Sequence, residues 1–338
     1  MTEYPAILRS TVQSARPPRF DLQVCSRRAA LDGLSRDVLH GLGRHPKSLP
    51  PKHFYDARGS ELFERICNTP EYYPTRTEQA LLELHAESIV HQAHPSCIVE
   101  LGSGSEHKIS ILLEAVEKTR GHCSYVPFDV SQSALEQSGQ ALIDKYPWLS
   151  VHAIVGDYER DLESLPRLGP TLYVFLGGTI GNFEPDQAAR FLSGIARQMR
   201  TGDYLLLGTD LVKHPSILNR AYNDSQGVTA AFNKNVLRVI NRCLDANFDL
   251  DAFEHVAYFN AEQQQIEMYL ESRRRQAVRI GALDKVVEFA AGERILTEIS
   301  RKFTQAGVRS MLAHGGLRLH SWFQPDSGYF GLSVAELD

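Results

Sequence analysis

The sequence lacks the features that mark several specialised classes of protein. Its five cysteines are scattered without CxxC spacing over 338 residues. An odd, dispersed set of cysteines is typical of reduced thiols in the cytosol. No apolar run approaches the roughly 18 residues of a membrane span, and the first residues contain no signal-peptide core. These absences predict a cytoplasmic protein without a membrane-spanning segment.

An excess of positive charge is also missing. The 36 lysines and arginines stand against 41 aspartates and glutamates, which gives a formal net charge of −5. This balance leaves no basic footprint for nucleic acid. The sequence contains no internal repeat and no low-complexity segment, and we predict no metal site. We expect a monomer that acts on a small molecule and binds neither nucleic acid nor a membrane.

Between residues 76 and 211 the sequence alternates helix-like and strand-like segments. Five short apolar runs have the composition of strands: CIVELGSGS, CSYVPFDV, SVHAIVGDY, TLYVFLGG and DYLLLGTDLV. Segments with apolar residues at helical spacing, such as ISILLEAVEKTR, separate these runs. This alternation predicts an α/β fold with a parallel sheet covered on both faces. Right-handed crossovers then place a ligand crevice at the carboxyl ends of the strands.

After Lys213 the pattern changes. The segment ILNRAYNDSQGVTAAFNKNVLRVINRCL is helical, and EHVAYFNAEQQQIEMYLESRRRQAVRI has the pattern of a two-stranded ribbon. The final segment, LRLHSWFQPDSGYFGLSVAEL, predicts a β-hairpin with a PDSG turn. The length allows more than one domain. We predict a flexible leader (residues 1–24), a sheet domain (76–212 and 302–338) and a discontinuous second α+β domain (25–75 and 213–301).

Glycines and carboxylates follow the first three predicted strands of the sheet. Gly102 and Gly104 end the first strand, but their G-S-G-S-E spacing departs from the dinucleotide fingerprint. Asp129 ends the second strand, where a carboxylate can accept the hydroxyls of a ribose. Asp157 and Tyr158 end the third strand, where they could meet an adenine amino group and ring. Each feature alone also fits an ordinary turn or cap, whereas the three together predict an adenosine-binding site.

These residues resemble the class I S-adenosylmethionine-dependent methyltransferases. Members of that superfamily carry an acidic residue followed by G-x-G after the first strand, as in VELGSGSEHK here. They also end in an antiparallel hairpin like the one predicted above. The resemblance implies a Rossmann-like sheet and S-adenosyl-L-methionine as the cofactor.

Longer segments narrow the resemblance to the histidine Nα-methyltransferases of ergothioneine biosynthesis. The segments are SLPPKHFYDARGSELFERICNTPEYYPTRTE, FLGGTIGN, LLLGTDLVK, AYNDSQGVTAAFNKNVL, NFDLDAFEHVA, IEMYLES and FAAGERILTEISRKF. The resemblance runs from about Leu34 to the carboxyl terminus. It implies trimethylation of the α-amino group of L-histidine to hercynine, with the sheet domain binding the cofactor and the second domain binding the substrate.

The resemblance also implies roles for individual residues. The positions that match cofactor contacts are Tyr55, Gly102, Lys108, Asp129, Asp157 and Tyr158, with Tyr55 close to the methylsulfonium. The positions that match contacts to the substrate's α-amino and carboxylate groups are Tyr72, Gly177, Asn182 and Tyr222. The positions that match contacts to the imidazole are Glu298 and Ser300, with Met268 nearby. Among these, Tyr55, Gly177 and Asn182 are expected to act closest to the methyl transfer.

Chemistry supports these assignments independently. An α-amine must lose its proton before it attacks a methyl group, and a pKa of about 8 makes this loss easy near neutral pH. The enzyme must then place the nitrogen, and the Gly177 carbonyl and the Asn182 amide can orient its remaining hydrogens. Tyrosine hydroxyls can bind the carboxylate without a cation that would repel the cofactor. Glu298 and Ser300 lie two apart on an extended chain, so both can face one imidazole.

The residues by themselves leave alternatives open. Glu298 and Ser300 also fit the polar face of an ordinary strand, and His91 and His94 fit a solvated helix face better than a metal site. The adjacent tyrosines of EYYP point apart, so at most one needs to be buried. Two other functions are compatible with the pattern: the same chemistry on tryptophan or another amino acid, and a non-catalytic cofactor-binding protein that regulates a partner.

Overall fold

The computed structural model describes residues 19–25, 27–104, 106–119 and 121–338. The strands within these ranges are β1 (Phe20–Val24), β2 (Lys47–Ser48), β3 (Cys97–Leu101), β4 (Ser124–Asp129), β5 (Ser150–Val155), β6 (Thr171–Phe175), β7 (Tyr204–Asp210), β8 (Phe253–Asn260), β9 (Gln265–Ser272), β10 (Gln276–Ile280), β11 (Lys285–Phe289), β12 (Arg294–Arg301), β13 (Leu317–Phe323) and β14 (Phe330–Leu337). The α-helices are α1 (Arg27–Leu42), α2 (Ala57–Cys67), α3 (Tyr73–Ala93), α4 (Glu106–Thr119), α5 (Gln132–Lys145), α6 (Pro185–Gln198), α7 (Pro215–Ala221), α8 (Val228–Leu244) and α9 (Gln305–His314).

An eight-stranded sheet has the order β1-β5-β4-β3-β6-β7-β14-β13. The first six strands in this order are parallel, and β14 and β13 form the predicted antiparallel hairpin at one edge. Every residue of β3 and β6 is buried, as expected for strands covered on both faces. The chain proceeds from β3 to β4 and β5 on one side, and then to β6 and β7 on the other. The predicted α/β sheet is therefore confirmed, with its topological switch point between β3 and β6.

Helices cover both faces of this sheet because each supplies an apolar stripe. On one face α3, α4 and α5 pack on the sheet through residues such as Leu82, Leu112 and Leu142. On the other face α6 and α9 pack through Phe191 and Leu312. No helix in the described ranges is long and apolar enough to cross a membrane.

A second sheet of four strands has the order β2-β12-β9-β8. The predicted ribbon is its β8–β9 hairpin, and β12 pairs antiparallel with β9. Its core joins residues between β1 and β3, such as Leu34, Leu62 and Phe54, to residues of α8 such as Val236. The second core therefore draws on two segments that are far apart in the sequence.

Two expectations about the chain's local structure are wrong. Phe20–Val24, part of the predicted leader, forms β1 and pairs in parallel with β5, because its alternating side chains suit an edge strand. The rest of the predicted leader, residues 1–18, lies outside the described residues. The helical stretch after Lys213 is also broken in two, because the buried Asp224 carboxylate accepts the N–H groups of Val228 and Thr229 and so begins a new helix. The break leaves Tyr222 at the end of α7.

Candidate active site

Two glycine loops leave the large sheet side by side at the switch point. Gly102 follows β3 and Gly177 follows β6, and these two strands are paired neighbours. Both glycines have positive φ, 74° and 77°. This conformation is strained for a residue with a Cβ, and the missing side chain leaves the backbone open to a ligand. The geometry makes this pair of loops the natural floor of a ligand crevice.

Side chains predicted to contact the cofactor gather beside Gly102. A Cβ added to Gly102 would lie 3.6 Å from Cε1 of Tyr158, so the tyrosine ring borders the loop. The Asp129 carboxylate accepts the Ser131 N–H at 2.9 Å. Burial raises the pKa of Asp129, while backbone N–H groups of Ser131 and Gly104 oppose that rise. Burial raises the pKa of Tyr158, and the nearby Asp129 charge raises it further.

Asp157 carries an ion pair that the sequence did not predict. Lys52 Nζ lies 3.1 Å from Asp157 Oδ2 and 3.2 Å from Asp37 Oδ2. The other oxygen of Asp157 accepts the Glu159 N–H at 3.0 Å. Burial opposes the charged form of Lys52, but Asp157 and Asp37 raise its pKa. Lys52 thus ties the segment that carries Tyr55 to the end of the large sheet.

A buried carboxylate supports the Gly177 loop. Both oxygens of Glu78, which is fully buried, accept the Gly177 N–H at 2.8 and 2.9 Å. Lys108 Nζ donates to Glu78 at 2.7 Å. Burial would lower the pKa of Lys108, but the Glu78 charge raises it. The N–H of Gly177 is therefore already bonded, and within the described residues its carbonyl accepts no hydrogen bond.

Asn182 lies between the two sheets. It ends a 3-10 helix (Thr179–Asn182) that packs on β12, the strand with Glu298 and Ser300. A Cβ added to Gly181 would lie 2.8 Å from the Arg301 carbonyl oxygen, so only glycine allows this approach. The half-buried Asn182 amide makes no hydrogen bond to any residue that the structure describes. The structure therefore brings this amide to the wall that carries the predicted imidazole ligands.

Glu298 is a carboxylate without a hydrogen-bond partner among the described residues. It lies opposite Met268 in the β12–β9 pairing, next to an irregularity between Leu296 and Glu298. No residue in the described part of the chain donates a hydrogen bond to its carboxylate. Burial raises the pKa of Glu298 to about 7, and Lys302 opposes the rise. A half-buried carboxylate of this kind is suited to a ligand that brings its own donor.

Three of the predicted tyrosines are near enough to this carboxylate for its charge to affect their pKa values. The rings of Tyr72 and Tyr222 lie 6.2 Å apart edge to face, and Tyr55 packs with the Phe232 ring at 5.4 Å. Burial is the first cause of a raised pKa in all three tyrosines, and the Glu298 charge contributes in each. The hydroxyls therefore keep their protons at neutral pH. Among the described residues, neither Tyr55 nor Tyr72 uses its hydroxyl in a hydrogen bond.

Both tyrosines of EYYP are buried, although their adjacency required the burial of at most one. Tyr72 is 8% exposed and Tyr73 is 3% exposed. The side chains do point apart, but each meets a different wall. Tyr72 contacts the Tyr222 ring, whereas the Tyr73 hydroxyl donates to the Asp210 carboxylate at 2.8 Å. The second domain and the sheet thus cover one tyrosine each.

A buried cation that the sequence did not predict lies behind the acceptor wall. Lys302 Nζ donates to Ser300 Oγ at 2.8 Å, to the Tyr222 hydroxyl at 3.1 Å and to Asp210 at 2.8 Å. Lys213 pairs with the same Asp210 carboxylate at 2.5 Å. Burial opposes ionisation of Asp210, yet the two lysines lower its pKa. Burial lowers the pKa of Lys213 to about 8, while Asp210 opposes this shift.

Two of the residues that sequence reasoning missed had a readable signal. Lys302 continues the two-residue spacing of Glu298 and Ser300, so the same face of the strand includes it. Glu78 lies three and four residues before Leu81 and Leu82, on the buried face of α3. Asp210 and Lys52 had no such signal, because neither position differs locally from a solvated one.

The described part of the chain contains no group of three candidate metal ligands. Among the described residues, no three side chains of His, Cys, Asp or Glu form a cluster that could hold a metal ion. His91 lies in the last turn of α3, and His94 is its left-handed C-cap. These histidines are thus part of a helix end.

Comparison with known proteins agrees with this geometry. A family model described as histidine-specific, S-adenosylmethionine-dependent methyltransferase matches residues 34–337. The chain is 50% identical over 307 residues to histidine N-alpha-methyltransferase of Mycolicibacterium smegmatis, covering 91% of this chain and 96% of that protein. The enzyme of the same name from Mycobacterium tuberculosis is 49% identical over 302 residues, covering 89% and 94%. Ergothioneine biosynthesis protein 1 of Schizosaccharomyces pombe is 29% identical over 288 residues, covering 82% of this chain and 37% of that protein.

These matches confirm the resemblance and the cofactor predicted from the sequence. The matched region begins at residue 34, where the resemblance was expected to begin. Its description as S-adenosylmethionine-dependent agrees with the glycine loop and the carboxylates at the strand ends. The chain therefore belongs to the family of histidine-specific, S-adenosylmethionine-dependent methyltransferases.

Proposed function

We propose that this chain transfers three methyl groups in succession from S-adenosylmethionine to the α-amino group of L-histidine. The product would be hercynine, in the first step of ergothioneine biosynthesis. The observation that carries the proposal is the Glu298 carboxylate, which has no partner in the described protein and lies on one strand with Ser300. The two mycobacterial relatives, each about half identical to this chain, are named for the same reaction.

The residues at the ends of β3, β4 and β5 fit the cofactor. Gly102 leaves its backbone open, Asp129 can accept the ribose hydroxyls, and Asp157 can accept the adenine amino group. Tyr158 offers its ring beside Gly102, and Lys108 borders the same crevice while it holds Glu78. When bound, the cofactor supplies an electrophilic methyl group on a positively charged sulfur.

The Gly177 loop is the proposed site of the α-amine. Because Glu78 already occupies the Gly177 N–H, the group that Gly177 can offer to a substrate is its carbonyl oxygen. The Asn182 side-chain carbonyl offers a second acceptor. Two acceptors can orient an amine so that its lone pair faces the methyl group, without a strong base to remove its proton.

The second sheet is the proposed site of the imidazole. Glu298 can accept a ring N–H, and Ser300 can bond the other ring nitrogen. Met268 lies opposite Glu298 and is buried, so it can pack on the ring. A neutral imidazole would satisfy both polar groups at once, whereas an indole would satisfy one.

The tyrosines are proposed to bind the carboxylate and to border the methyl group. The Tyr72 hydroxyl has no other partner in the described structure, so it can donate to the substrate carboxylate. Tyr222 adds its ring and supports Ser300 through a hydrogen bond at 2.8 Å. Tyr55 remains protonated because burial raises its pKa, so it can border the positively charged sulfur without competing as a nucleophile.

The two-domain division belongs to the same proposal. Residues 76–212 and 302–338 would hold the cofactor, together with Phe20–Val24, which joins their sheet. Residues 25–75 and 213–301 would hold the amino acid, since their apolar side chains share one core. The crevice between the two units would then contain both reactants and exclude water.

Purified protein, the cofactor and each of the twenty amino acids test the proposal by mass spectrometry. We expect mono-, di- and trimethylated products with histidine, and much weaker transfer to tryptophan. Absence of methylated histidine at any enzyme concentration would overturn the proposal. Cofactor binding by calorimetry without turnover on any amino acid would instead indicate the non-catalytic alternative.

The choice between histidine and tryptophan depends on Glu298. Glu298→Ala should relax the preference for histidine, because the ring N–H loses its acceptor. Full retention of the preference in this variant would remove Glu298 from the proposed imidazole site. Glu288→Ala is the matched control, since Glu288 is 77% exposed on a neighbouring hairpin.

A further inference from the structure

All three hydrogen-bond donors of the Lys302 ammonium are in use. They go to Ser300 Oγ at 2.8 Å, to the Tyr222 hydroxyl at 3.1 Å and to Asp210 Oδ2 at 2.8 Å. A lysine ammonium has three N–H donors and no acceptor. The Lys302 side chain is completely buried, so water does not compete for these bonds. Lys302 therefore donates to two hydroxyl oxygens at once, and its ion pair with Asp210 fixes the position of the ammonium group.

The proton count at Ser300 follows from these contacts. Ser300 Oγ accepts from Lys302 and also from the Tyr222 hydroxyl at 2.8 Å. A serine hydroxyl has two acceptor lone pairs and one donor. Both lone pairs are occupied, so its O–H is the group that remains for a ligand. The Tyr222 oxygen cannot accept the Ser300 O–H, because it already accepts from Lys302 and its own proton is donated to Ser300.

We propose that Lys302 is a positioning residue that makes Ser300 an obligatory hydrogen-bond donor to the ring of the amino-acid substrate. The inference rests on the proposed function, in which Ser300 and Glu298 face the imidazole. A donor at Ser300 requires a ring nitrogen with a lone pair, and an ionised Glu298 requires a ring N–H. Neutral imidazole offers one of each, imidazolium offers two donors, and indole offers a donor alone.

This arrangement selects the ring through two hydrogen bonds, one to Glu298 and one from Ser300. A ring that keeps the N–H but lacks the second nitrogen can satisfy Glu298, yet it leaves the Ser300 O–H directed at carbon. A buried donor left unpaired costs about 10- to 100-fold in affinity. Without Lys302, the Tyr222 oxygen no longer has to accept from the ammonium, so the Tyr222 O–H can rotate away and the Ser300 O–H can donate to the Tyr222 oxygen instead. The penalty for a ring without an acceptor should then largely disappear.

The test measures dissociation constants by calorimetry on protein saturated with S-adenosylhomocysteine, so that no turnover is needed. The ligands are L-histidine and the 2- and 3-pyrrolyl isomers of pyrrolylalanine, which keep one ring N–H and lack the second nitrogen. The wild type should bind histidine about 10- to 100-fold more tightly than either isomer. Lys302→Met should reduce this ratio to within about threefold, and Ser300→Ala should reduce it similarly.

Lys213→Met is the matched control. Lys213 pairs with the same Asp210 carboxylate and contacts the Tyr73 hydroxyl, but it bonds to neither Ser300 nor Tyr222. This variant should keep the wild-type ratio even where its stability falls. Lys302→Gln replaces the ammonium with an amide donor and should give an intermediate ratio. It replaces Lys302→Met as the test if that variant does not fold.

The outcomes separate this inference from the proposed function. If the Lys302 variants weaken all ligands equally and leave the ratio unchanged, the lysine is purely structural and the inference is overturned. A wild type that binds histidine and the isomers equally also overturns it. Ring discrimination that depends on Lys302, without methylated histidine in the activity assay, overturns the proposed function alone. Failure of the wild type to bind histidine overturns both.

Discussion

The cofactor half and the acceptor half of the site are held by different kinds of contact. In the cofactor half, Asp129 accepts the N–H of Ser131 at 2.9 Å, and Asp157 accepts the N–H of Glu159 at 3.0 Å. Each bond joins residues two positions apart, as in an ordinary turn after a strand. The position of these carboxylates is thus set mainly by the local chain and by the end of the parallel sheet, with a long-range contribution from the partly exposed ion pair of Asp157 with Lys52.

In the acceptor half, most contacts join residues far apart in the sequence. Tyr222 donates to Ser300 across 78 positions, and Lys302 bonds to Tyr222 and Asp210 as well as to its near neighbour Ser300. These groups are buried, so each one depends on its partners for the hydrogen bonds that water would otherwise supply. We therefore expect substitutions in the acceptor half to have large effects, and those in the cofactor half to have graded ones.

The largest effect should come from Glu78→Ala, since Glu78 supports the loop between the two halves. The change leaves Lys108 unpaired and frees the Gly177 N–H. Removing one partner of a buried ion pair costs about 3–5 kcal/mol of unfolding free energy, and methyl transfer should be lost. Denaturant unfolding and product mass measure the two effects. Glu83→Ala, an exposed glutamate of the same helix, should cost less than about 0.5 kcal/mol.

Glu298→Gln should weaken the reaction with histidine and at the same time raise the stability of the protein. We expect kcat/KM for histidine to fall about 10- to 100-fold, because a charge-assisted hydrogen bond is lost, while the cofactor Kd stays unchanged. The raised pKa of Glu298, about 7 against 4.5, means that ionisation opposes folding as pH rises through this range. The variant should therefore be more stable than the wild type at pH 8, by about 2 kcal/mol. Equal stability at pH 8 would contradict this account of Glu298.

The pH dependence of kcat/KM tests the same role of Glu298. Histidine binding in the proposed mode needs an ionised Glu298 and a neutral imidazole. Since the pKa of Glu298 is raised to about 7, kcat/KM should fall as pH decreases through 7. In Glu298→Gln the carboxylate no longer contributes, so the residual activity should follow only the imidazole, with an ordinary pKa of about 6.5, and the α-amine, with one of about 8. Identical profiles for the two proteins would show that Glu298 does not titrate in binding.

Asn182→Ala should lower activity with little effect on stability. Its amide makes no hydrogen bond within the described structure, so its removal leaves no protein group unpaired. We expect kcat to fall about 10-fold, as for the loss of one orienting hydrogen bond. The unfolding free energy should change by less than about 0.5 kcal/mol. Asn68→Ala, an exposed amide at the end of α2, should change neither quantity.

The smallest effect is expected from Lys52→Met in the cofactor half. Lys52 and Asp157 are 26% and 21% exposed, and ion pairs near water contribute about 1 kcal/mol or less. The cofactor Kd should therefore rise less than about fivefold, and the histidine Kd should stay the same. Arg160→Met is the control, because the Arg160 guanidinium lies 3.7 Å from the Asp157 carboxylate, too far for a hydrogen bond. A 100-fold loss of cofactor affinity in Lys52→Met would contradict this prediction and show that the two halves depend equally on buried charge.

The sequence predicted the elements better than their partners. The alternation of strands and helices, the β8–β9 ribbon and the terminal hairpin are confirmed because each depends on local periodicity. Phe20–Val24 was assigned to a leader because an edge strand has a weak signal without its neighbour. The burial of both Tyr72 and Tyr73 was not predicted, since adjacency says nothing about a second domain that covers the other side.

By itself, the sequence determined the α/β sheet, the glycine loops at its strand ends and the family to which the chain belongs. These features follow from residue spacing within short segments, where backbone geometry allows few solutions. The tertiary structure decided that Glu78 holds Gly177, that Lys52 holds Asp157 and that Lys302 stands behind Ser300. A charged side chain has no preferred partner until folding removes water from around it, and then the nearest opposite charge or hydroxyl becomes its partner.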